Sequence, residues 1–179
     1  VRSLQLHLAK LRRELKAWSN DEASMAKLPG SPDDYRVARQ NVALRLENCW
    51  RHQTFLSGET GAPVPGLKLD GMRVGSLPAF TGDIDFSHVQ QLSLQNMQLS
   101  DDVGYFLKAF KRLDRLQLDA NRITRLPEVL SHMPALRHLS LHNNALNLNA
   151  QTVQKLAYME SLQSLDLSDN PLGDTPDVS

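Results

Sequence analysis

The chain has 179 residues, and its 41% hydrophobic content is enough for a sizeable buried core and excludes a disordered chain. Its 20 basic and 20 acidic residues cancel, so the net charge does not indicate a nucleic-acid or anionic-membrane partner. The one cysteine, Cys49, excludes an intrachain disulfide, and no apolar run approaches the roughly 20 residues of a membrane-spanning helix.

Residues 1–55 are predicted to form a helical cap. Apolar residues recur three and four apart from Leu4 to Trp18, which gives one helix an apolar stripe. After a break at KLPGSPDD, Ser31 and Asp34 are predicted to start a second helix as a capping box. The two helices would form a hairpin that covers the repeats described next, because the end of a repeat array otherwise exposes its apolar face.

After a junction at residues 56–66, residues 67–179 are dominated by a repeated pattern, L-x-x-L-x-L-x-x-N-x-L. Its five copies, the last incomplete, start 25, 24, 23 and 26 residues apart, which is the period of leucine-rich repeats. They read VPGLKLDGMRV, VQQLSLQNMQL, LDRLQLDANRI, LRHLSLHNNAL and LQSLDLSDNPL. We therefore predict an α/β leucine-rich-repeat solenoid, with short parallel strands on the concave face and helices and turns on the convex face.

The segments between the strands differ from one repeat to the next. Residues 104–112 and 149–159 have helical spacing, and Asn149 is the predicted N-cap of the second segment. Pro127 and Pro134 bracket a tighter segment of about two turns. The convex face is therefore predicted to be irregular.

The asparagine of the pattern is predicted to be structural. It turns the chain inward, and its amide can bond backbone groups that the turn would leave buried and unpaired. Asn121, Asn144 and Asn170 fill the position, and we expect them to form a ladder. The first two repeats have Met72 and Met97 there, so the ladder should be irregular at its N-terminal end.

Polar residues that alternate with the strand leucines are predicted to line the concave face. Neighbouring strands lie about 4.8 Å apart, so we expect Asp119 to contact His142 and Arg115 to contact His138. Such a surface suits a protein partner, whereas the alternative is that it only keeps an exposed sheet soluble. We expect charge reversal at Arg115 and Asp119 to weaken binding with little loss of stability. The candidate contact residues are Arg115, Gln117, Asp119, His138, Ser140, His142 and Asp166.

The spacing of His138 and His142 would suit a shared metal on a helix. In a strand these residues are about 13 Å apart, too far for one ion, so neither a metal nor a cofactor is predicted. His142 would instead be pH-sensitive if Asp119 lies beside it.

Cys49 is the candidate nucleophile for an enzyme hypothesis, with Arg51 and His52 as activating neighbours. It lies on the apolar side of the second predicted helix, where a buried structural thiol is the commoner case. The sequence has no phosphate-binding glycine loop, no paired-cysteine metal pattern and no G-x-S-x-G elbow. We therefore predict no catalytic residue in this chain.

The repeats also carry a family resemblance. LPAFTGDIDFSHVQQLSLQNMQLSDD, FLKAFKRLDRLQLDANRITRLPEVL and LQSLDLSDNPLG, after helices that end in LENCWRHQTF, resemble the leucine-rich-repeat region of one group of bacterial effectors. That group is the novel E3 ubiquitin ligase (NEL, IpaH-like) family, and the likeness is strongest to its large pseudomonad members. Shorter members of the family have repeats near twenty residues with L-P pairs throughout. Here the repeats are longer, and L-P occurs at Leu77 and Leu126.

The resemblance implies a secreted effector that acts in the host cytoplasm. Its repeats would bind a host protein, or its own ligase domain, and a separate domain would transfer ubiquitin through a cysteine followed two residues later by aspartate. Cys49 is followed by Trp50 and Arg51, so that nucleophile does not map onto this chain. We expect the chain to be part of a longer protein. The alternative is a non-enzymatic scaffold or receptor-like binding protein, although the lone cysteine argues against disulfide-capped extracellular receptors.

Overall fold

The computed structural model describes residues 2–57 and 60–171, which fold into a helical cap followed by a six-stranded sheet. The helices are α1 (Arg2–Ser19), α2 (Glu22–Ala26), α3 (Pro32–His52), α4 (Val103–Leu107), a 3₁₀ helix (Glu128–His132) and α5 (Ala150–Ala157). The strands are β1 (Phe55–Ser57), β2 (Pro63–Lys68), β3 (Gln91–Ser93), β4 (Arg115–Gln117), β5 (His138–Ser140) and β6 (Ser164–Asp166).

The strands lie side by side in chain order, and β2 to β6 are parallel. Leu67, Leu92, Leu116, Leu139 and Leu165 occupy equivalent positions in adjacent strands. Because each of these leucines comes from a different copy of the pattern, one register serves the whole sheet. The predicted α/β leucine-rich-repeat solenoid is thus confirmed.

The predicted junction contributes a strand pair that the pattern did not indicate. β1 is antiparallel to β2 and forms the N-terminal edge of the sheet. The Thr54 hydroxyl donates to the Gly66 carbonyl at 2.7 Å, and Leu56 lies over Gly66. A Cβ at residue 66 would be 2.6 Å from a Leu56 methyl carbon, so glycine permits this approach of the two strands.

One continuous core runs from the cap through the repeats. The inward leucines of β2 to β5 are at most 5% exposed, whereas Leu165 of β6 is 40% exposed. Full burial of a leucine side chain contributes about 1.5–3 kcal/mol, so the strands of the first four repeats are held mainly by this ladder. On the convex side, Phe86, Phe106 and Phe110 stack with ring centroids 4.8–4.9 Å apart.

The cap contains three helices rather than the predicted two. The short helix α2 lies in the connection between α1 and α3, and the Asp21 side chain caps it by accepting from the Ser24 N–H. Ser31 is the N-cap of α3, but its side chain makes no cap bond, so the predicted capping box is wrong. The predicted stripe of α1 is buried from Leu11 onward, while Leu4 is exposed.

The convex segments follow the prediction in part. Asn149 caps α5 by accepting from the Thr152 N–H at 2.9 Å, as predicted. α4 is shorter than its predicted helix, because the N–H groups of Ala109 and Phe110 donate to carbonyls only three residues earlier. None of the helices within residues 2–57 and 60–171 is both long enough and apolar enough to cross a membrane.

Candidate functional site

The concave face presents the polar side chains that alternate with the strand leucines. The strand register places Arg115 beside His138 and Gln117 beside Ser140 on β4 and β5, and it continues to Asp166 on β6. These side chains are half-buried on β4 and β5, and the last is exposed. The sheet thus offers one polar surface that several repeats build together.

Asp119 belongs to the fold as much as to the surface. Its Oδ1 accepts hydrogen bonds from the Ser140 hydroxyl and from the backbone N–H of His142 (3.1 Å). The Asp70 carboxylate makes the same pair of contacts two repeats earlier, with the Ser93 hydroxyl and the Gln95 N–H at 2.7 and 2.9 Å. Charge reversal at Asp119 would therefore lower stability, so the expectation of little loss is wrong.

The His142 ring faces the last repeat rather than Asp119. Its Nδ1 lies 2.7 Å from the Ser168 hydroxyl, and its Nε2 lies 3.6 Å from an Asp169 carboxylate oxygen. Asp119 does contact His142, but through the backbone N–H. The carboxylate beside the His142 ring is therefore that of Asp169 and not, as expected, that of Asp119.

Ser168 and His142 do not form an activated serine nucleophile. The Ser168 hydroxyl donates to Asp166 at 2.5 Å, so its oxygen is the acceptor for His142 Nδ1–H. A base for serine would need a free lone pair on that nitrogen. Hydrogen bonds from Ser168, with a smaller contribution from the nearby His142, lower the pKa of Asp166.

The turn asparagines bond the backbone of two adjacent repeats. Asn121 is buried, and its Oδ1 accepts from the N–H groups of Met97 (3.0 Å) and Leu99 (3.1 Å). Its amide donates to the carbonyls of Leu94 (2.7 Å) and Leu118 (2.9 Å). One side chain thus satisfies four backbone groups of two successive turns, which would otherwise be buried without partners.

Asn144 and Asn170 make similar contacts in the following repeats. Asn144 Oδ1 accepts from the Ile123 N–H at 3.1 Å, and Asn170 Oδ1 accepts from the Leu146 N–H at 2.9 Å. Both amides donate to the Leu141 carbonyl, at 3.1 and 2.8 Å. Each asparagine therefore links its own turn to the turn of the preceding repeat.

Arg39 is an important residue that the sequence interpretation missed. It is fully buried, and its guanidinium donates to the carbonyls of Val74 (3.1 Å) and Trp18 (3.0 Å). It also donates to the hydroxyls of Ser24 (2.8 Å) and Ser76 (3.1 Å) and lies 5.3 Å from the Trp18 ring centroid. Burial lowers the pKa of Arg39, but a guanidinium remains charged in proteins.

The contacts of Arg39 join all three parts of the N-terminal region. Trp18 lies in the last turn of α1, Ser24 is in α2, and Val74 and Ser76 follow β2. A sequence signal for Arg39 exists, because it lies four residues after Tyr35 and three before Val42, on the buried stripe of α3.

Cys49 is buried, and burial raises the pKa of its thiol. The His88 ring lies beside it, with Nε2 at 3.9 Å from Sγ and 3.0 Å from the Cys49 carbonyl oxygen. A hydrogen on Nε2 is needed for the carbonyl contact, so this nitrogen has no lone pair for the thiol. The expected neighbour Arg51 pairs with Glu47 instead. A buried thiol with a raised pKa is a poor nucleophile.

Within the described ranges, no group of three or more histidine, cysteine, aspartate or glutamate side chains is arranged to hold a metal ion. His138 lies in β5, whereas the ring of His142 contacts the loop after β6. His138 and His142 are therefore not brought together on one face as a pair of ligands.

Comparison with known proteins agrees with this geometry. Residues 87–146 match a leucine rich repeat family model, and residues 161–179 match a second one. These matches and the parallel strand ladder show the leucine-rich-repeat fold. Leucine-rich-repeat domains generally serve in protein–protein interaction.

Two curated relatives match part of the repeats. The human leucine-rich melanocyte differentiation-associated protein is 38% identical over 82 residues, which cover 44% of this chain and 40% of the relative. Mouse podocan is 41% identical over 75 residues, which cover 40% of this chain and 12% of the relative. The chain thus spans less than half the length of either relative.

Among solved structures, the leucine-rich-repeat ectodomain of the receptor kinase SOBIR1 from Arabidopsis thaliana is similar to this chain. The two share 21% identity with a TM-score of 0.40, over 79% of this chain and 96% of that ectodomain.

Proposed function

We propose that the chain is a binding module that holds a partner protein on its concave face. The observation that carries this proposal is the polar surface that β3 to β6 build side by side, with half-buried polar side chains on β4 and β5 and exposed ones on β6. Half-buried polar side chains on a rigid sheet lose little conformational freedom when they bind, so such a surface favours a specific partner.

The charges of this surface indicate how the partner would lie. Asp166 and Asp169 are exposed at the C-terminal end, whereas the exposed Lys68 near the N-terminal end lies 3.8 Å from an Asp70 carboxylate oxygen, which offsets its charge. Asp119 is already engaged with Ser140, so it contributes less to an outside partner. We therefore expect a partner with basic groups opposite the last repeat.

Position-specific cross-linking tests the concave-face proposal. A photoreactive amino acid at residue 117 should cross-link one discrete protein, whereas the same group at residue 122, on an exposed turn, should not. The purified partner should then lose about tenfold in affinity on Arg115→Glu together with Asp166→Lys, because one basic and one acidic group of the concave face are reversed. Equal cross-linking at both positions, or unchanged affinity of the double variant, would contradict the proposal.

The narrower proposal is that this module belongs to a secreted bacterial E3 ubiquitin ligase acting in the host cytoplasm. Its support is the sequence resemblance of the repeats and of the LENCWRHQTF segment. The two curated relatives named above are vertebrate proteins and do not add to that support. In such an enzyme the repeats would hold the host protein while a distant thiol accepts ubiquitin and passes it to a substrate lysine.

The sequence that follows Ser179 in the gene tests this narrower proposal. A helical domain with a cysteine-x-aspartate motif, active in ubiquitin transfer and inactive after Cys→Ala at that motif, is the expected result. A gene without that domain would contradict the ligase proposal and favour the scaffold or receptor-like alternative. The concave-face proposal would be unaffected.

A further inference from the structure

The convex face of the later repeats carries exposed apolar side chains that the concave sheet lacks. Tyr105, Val153 and Tyr158 are 59%, 56% and 74% exposed, and all three lie on or next to α4 and α5. The outward positions of β3 to β6 are occupied by polar residues. Tyrosines are frequent energetic centres of protein interfaces, so this apolar surface is unlike an ordinary solvated face.

Two adjoining hollows of about 350 and 370 Å³ lie beside the two tyrosines. Tyr105 borders the first and Tyr158 the second, and Leu126, Pro127 and Lys155 line both. They therefore form one groove that crosses the 3₁₀ helix, and we call it the convex groove. Pockets of this size are suited to apolar anchor side chains.

Basic groups exceed acidic groups around the convex groove once internal pairs are set aside. Arg125 lies 3.7 Å from Asp101, so these two charges offset each other. Lys155 forms no ion pair within the described residues, and Lys108 lies over the Tyr105 ring at 5.0 Å. Glu128 is the acidic residue that remains. The balance of two lysines against one carboxylate favours an acidic partner.

The groove walls favour a helical occupant over an extended one. They are formed by α4, the 3₁₀ helix and α5, whose backbone groups bond within their own turns, as Leu130 N–H to the Pro127 carbonyl and Val153 N–H to the Asn149 carbonyl. An extended segment would find no strand edge there for its backbone, whereas a helix satisfies its own backbone groups.

From these observations we propose that the convex groove is a second interaction surface, which binds an amphipathic helix of a partner protein. The helix would place apolar side chains about one turn apart in the two hollows and acidic side chains beside Lys108 and Lys155. This surface is separate from the concave face, so the chain would bind two proteins, or two segments of one protein, at the same time.

A displayed library of helical peptides, randomised at apolar and flanking positions, tests the proposal. Selection on the whole chain, without counterselection, should recover peptides rich in acidic residues. Their affinity should fall about tenfold in the double tyrosine variant, because interface tyrosines commonly carry such effects. Lys155→Glu should weaken the same peptides and shift a new selection toward basic sequences.

Val37→Ser/Leu44→Ser is the matched control, because it removes two similarly exposed apolar side chains from α3 in the cap. This control and the concave variant Gln117→Ala should leave peptide binding unchanged. The peptide experiment therefore tests the convex groove alone, and its outcome does not depend on the concave-face proposal. If the double tyrosine variant loses its circular dichroism signal, Tyr158→Ser and Lys155→Glu are compared singly.

Three outcomes would overturn the proposal: peptides that bind the tyrosine variants equally well, peptides that are predominantly basic, or absence of any selected binder. A self-association of the wild-type chain in sedimentation experiments that Tyr158→Ser abolishes would also overturn it. In that case the occupant would be a second copy of the chain.

Discussion

Repeats one and two differ from repeats three to five at the position where the chain turns into the core. The later repeats have an asparagine there, and its amide bonds the backbone of two adjacent turns, as Asn121 does for Met97 and Leu99. The earlier repeats have Met72 and Met97, whose thioethers offer no comparable donors and only weak acceptors. The backbone of the first repeat therefore needs another source of hydrogen bonds.

That source is the cap. The Leu99 carbonyl of repeat two accepts from the Arg122 N–H of repeat three at 2.7 Å. The equivalent carbonyl in repeat one, Val74, accepts from the Arg39 side chain at 3.1 Å. Gln98, at the position of Arg122, has a positive φ of 60°, so its backbone takes a different course. The comparison shows that the cap replaces a missing repeat contact as well as covering the apolar end.

Removing Arg39 should have the largest effect, because it tests whether the cap takes the place of the missing contact between repeats at the Val74 carbonyl. Arg39→Met leaves four oxygen atoms without a charged donor, and we expect a loss of about 3–5 kcal/mol in unfolding free energy. Urea denaturation measures the loss, and hydrogen exchange should show it first in α1, α3 and repeat one.

Arg36→Met is the control, because Arg36 pairs with Glu22 and Asp33 at the surface of the same region. It should cost less than about 1 kcal/mol. Equal losses in both variants would mean that the cap does not depend on the buried guanidinium.

Exchanging the turn residues tests whether the two kinds of repeat are interchangeable. Asn121→Met should cost about 2–4 kcal/mol, because it leaves buried backbone groups unpaired. Met97→Asn should also destabilise, by about 2 kcal/mol, because it replaces a fully buried apolar side chain with an amide. Thermal and urea unfolding measure both effects. A stabilising Met97→Asn would show that repeat one can accept the asparagine turn without change.

Asp101 of repeat two bonds repeat three on the side away from the sheet. This contact between the two halves makes the stability of the chain pH-dependent. Its carboxylate accepts from the Thr124 N–H (2.7 Å) and the Arg125 N–H (3.1 Å). Burial alone would raise the pKa of Asp101, but these bonds, the Thr124 hydroxyl and the Arg125 charge lower it overall. Its stabilisation is therefore complete above the unfolded-state pKa of about 3.9 and is lost as pH falls through the lower folded pKa.

Asp101→Ala should cost about 1–2 kcal/mol at neutral pH, from the hydrogen bonds removed. The difference from wild type should shrink as the pH falls below the folded pKa, because the wild-type carboxylate is then protonated too. Glu160→Ala, at an exposed position, is the control and should change little at either pH. A loss of the same size at every pH would assign the effect to packing instead.

The sequence predicted the repeated part of this architecture well and the connections poorly. The strands could be located because each lies between leucines at fixed spacing, whatever its length. β1 and α2 were missed because segments of three and five residues are too short to show a period. In the cap, Arg39 was missed because a charged residue on an apolar stripe is usually assigned to the surface.

The contacts on the concave face could also be predicted only in part. Alternation along a strand indicates which side chains face outward, and it identified Asp119 and His142. It does not indicate which of them bond each other, and the Ser140 hydroxyl and Ser168 turned out to be the contacts that matter. The partner-binding role of these residues stays a prediction.

The smallest predicted effect concerns a turn that both halves share. The residue just before the asparagine or methionine position has a positive φ in all five repeats, from 53° to 80°. These residues are Gly71, Asn96, Ala120, Asn143 and Asp169. Glycine, asparagine and aspartate tolerate this left-handed conformation, whereas alanine does not.

Ala120→Gly should therefore stabilise the chain by about 0.5–1 kcal/mol, because it relieves the left-handed strain at φ 58°. Ala145→Gly is the matched control, since Ala145 lies in the next repeat without a positive φ and should lose a similar amount. Opposite signs in paired urea titrations would show that the left-handed turn at Ala120 is strained, whereas glycine at Ala145 only adds unfolded-state freedom. The same sign in both variants would mean that the left-handed turn carries no strain at Ala120.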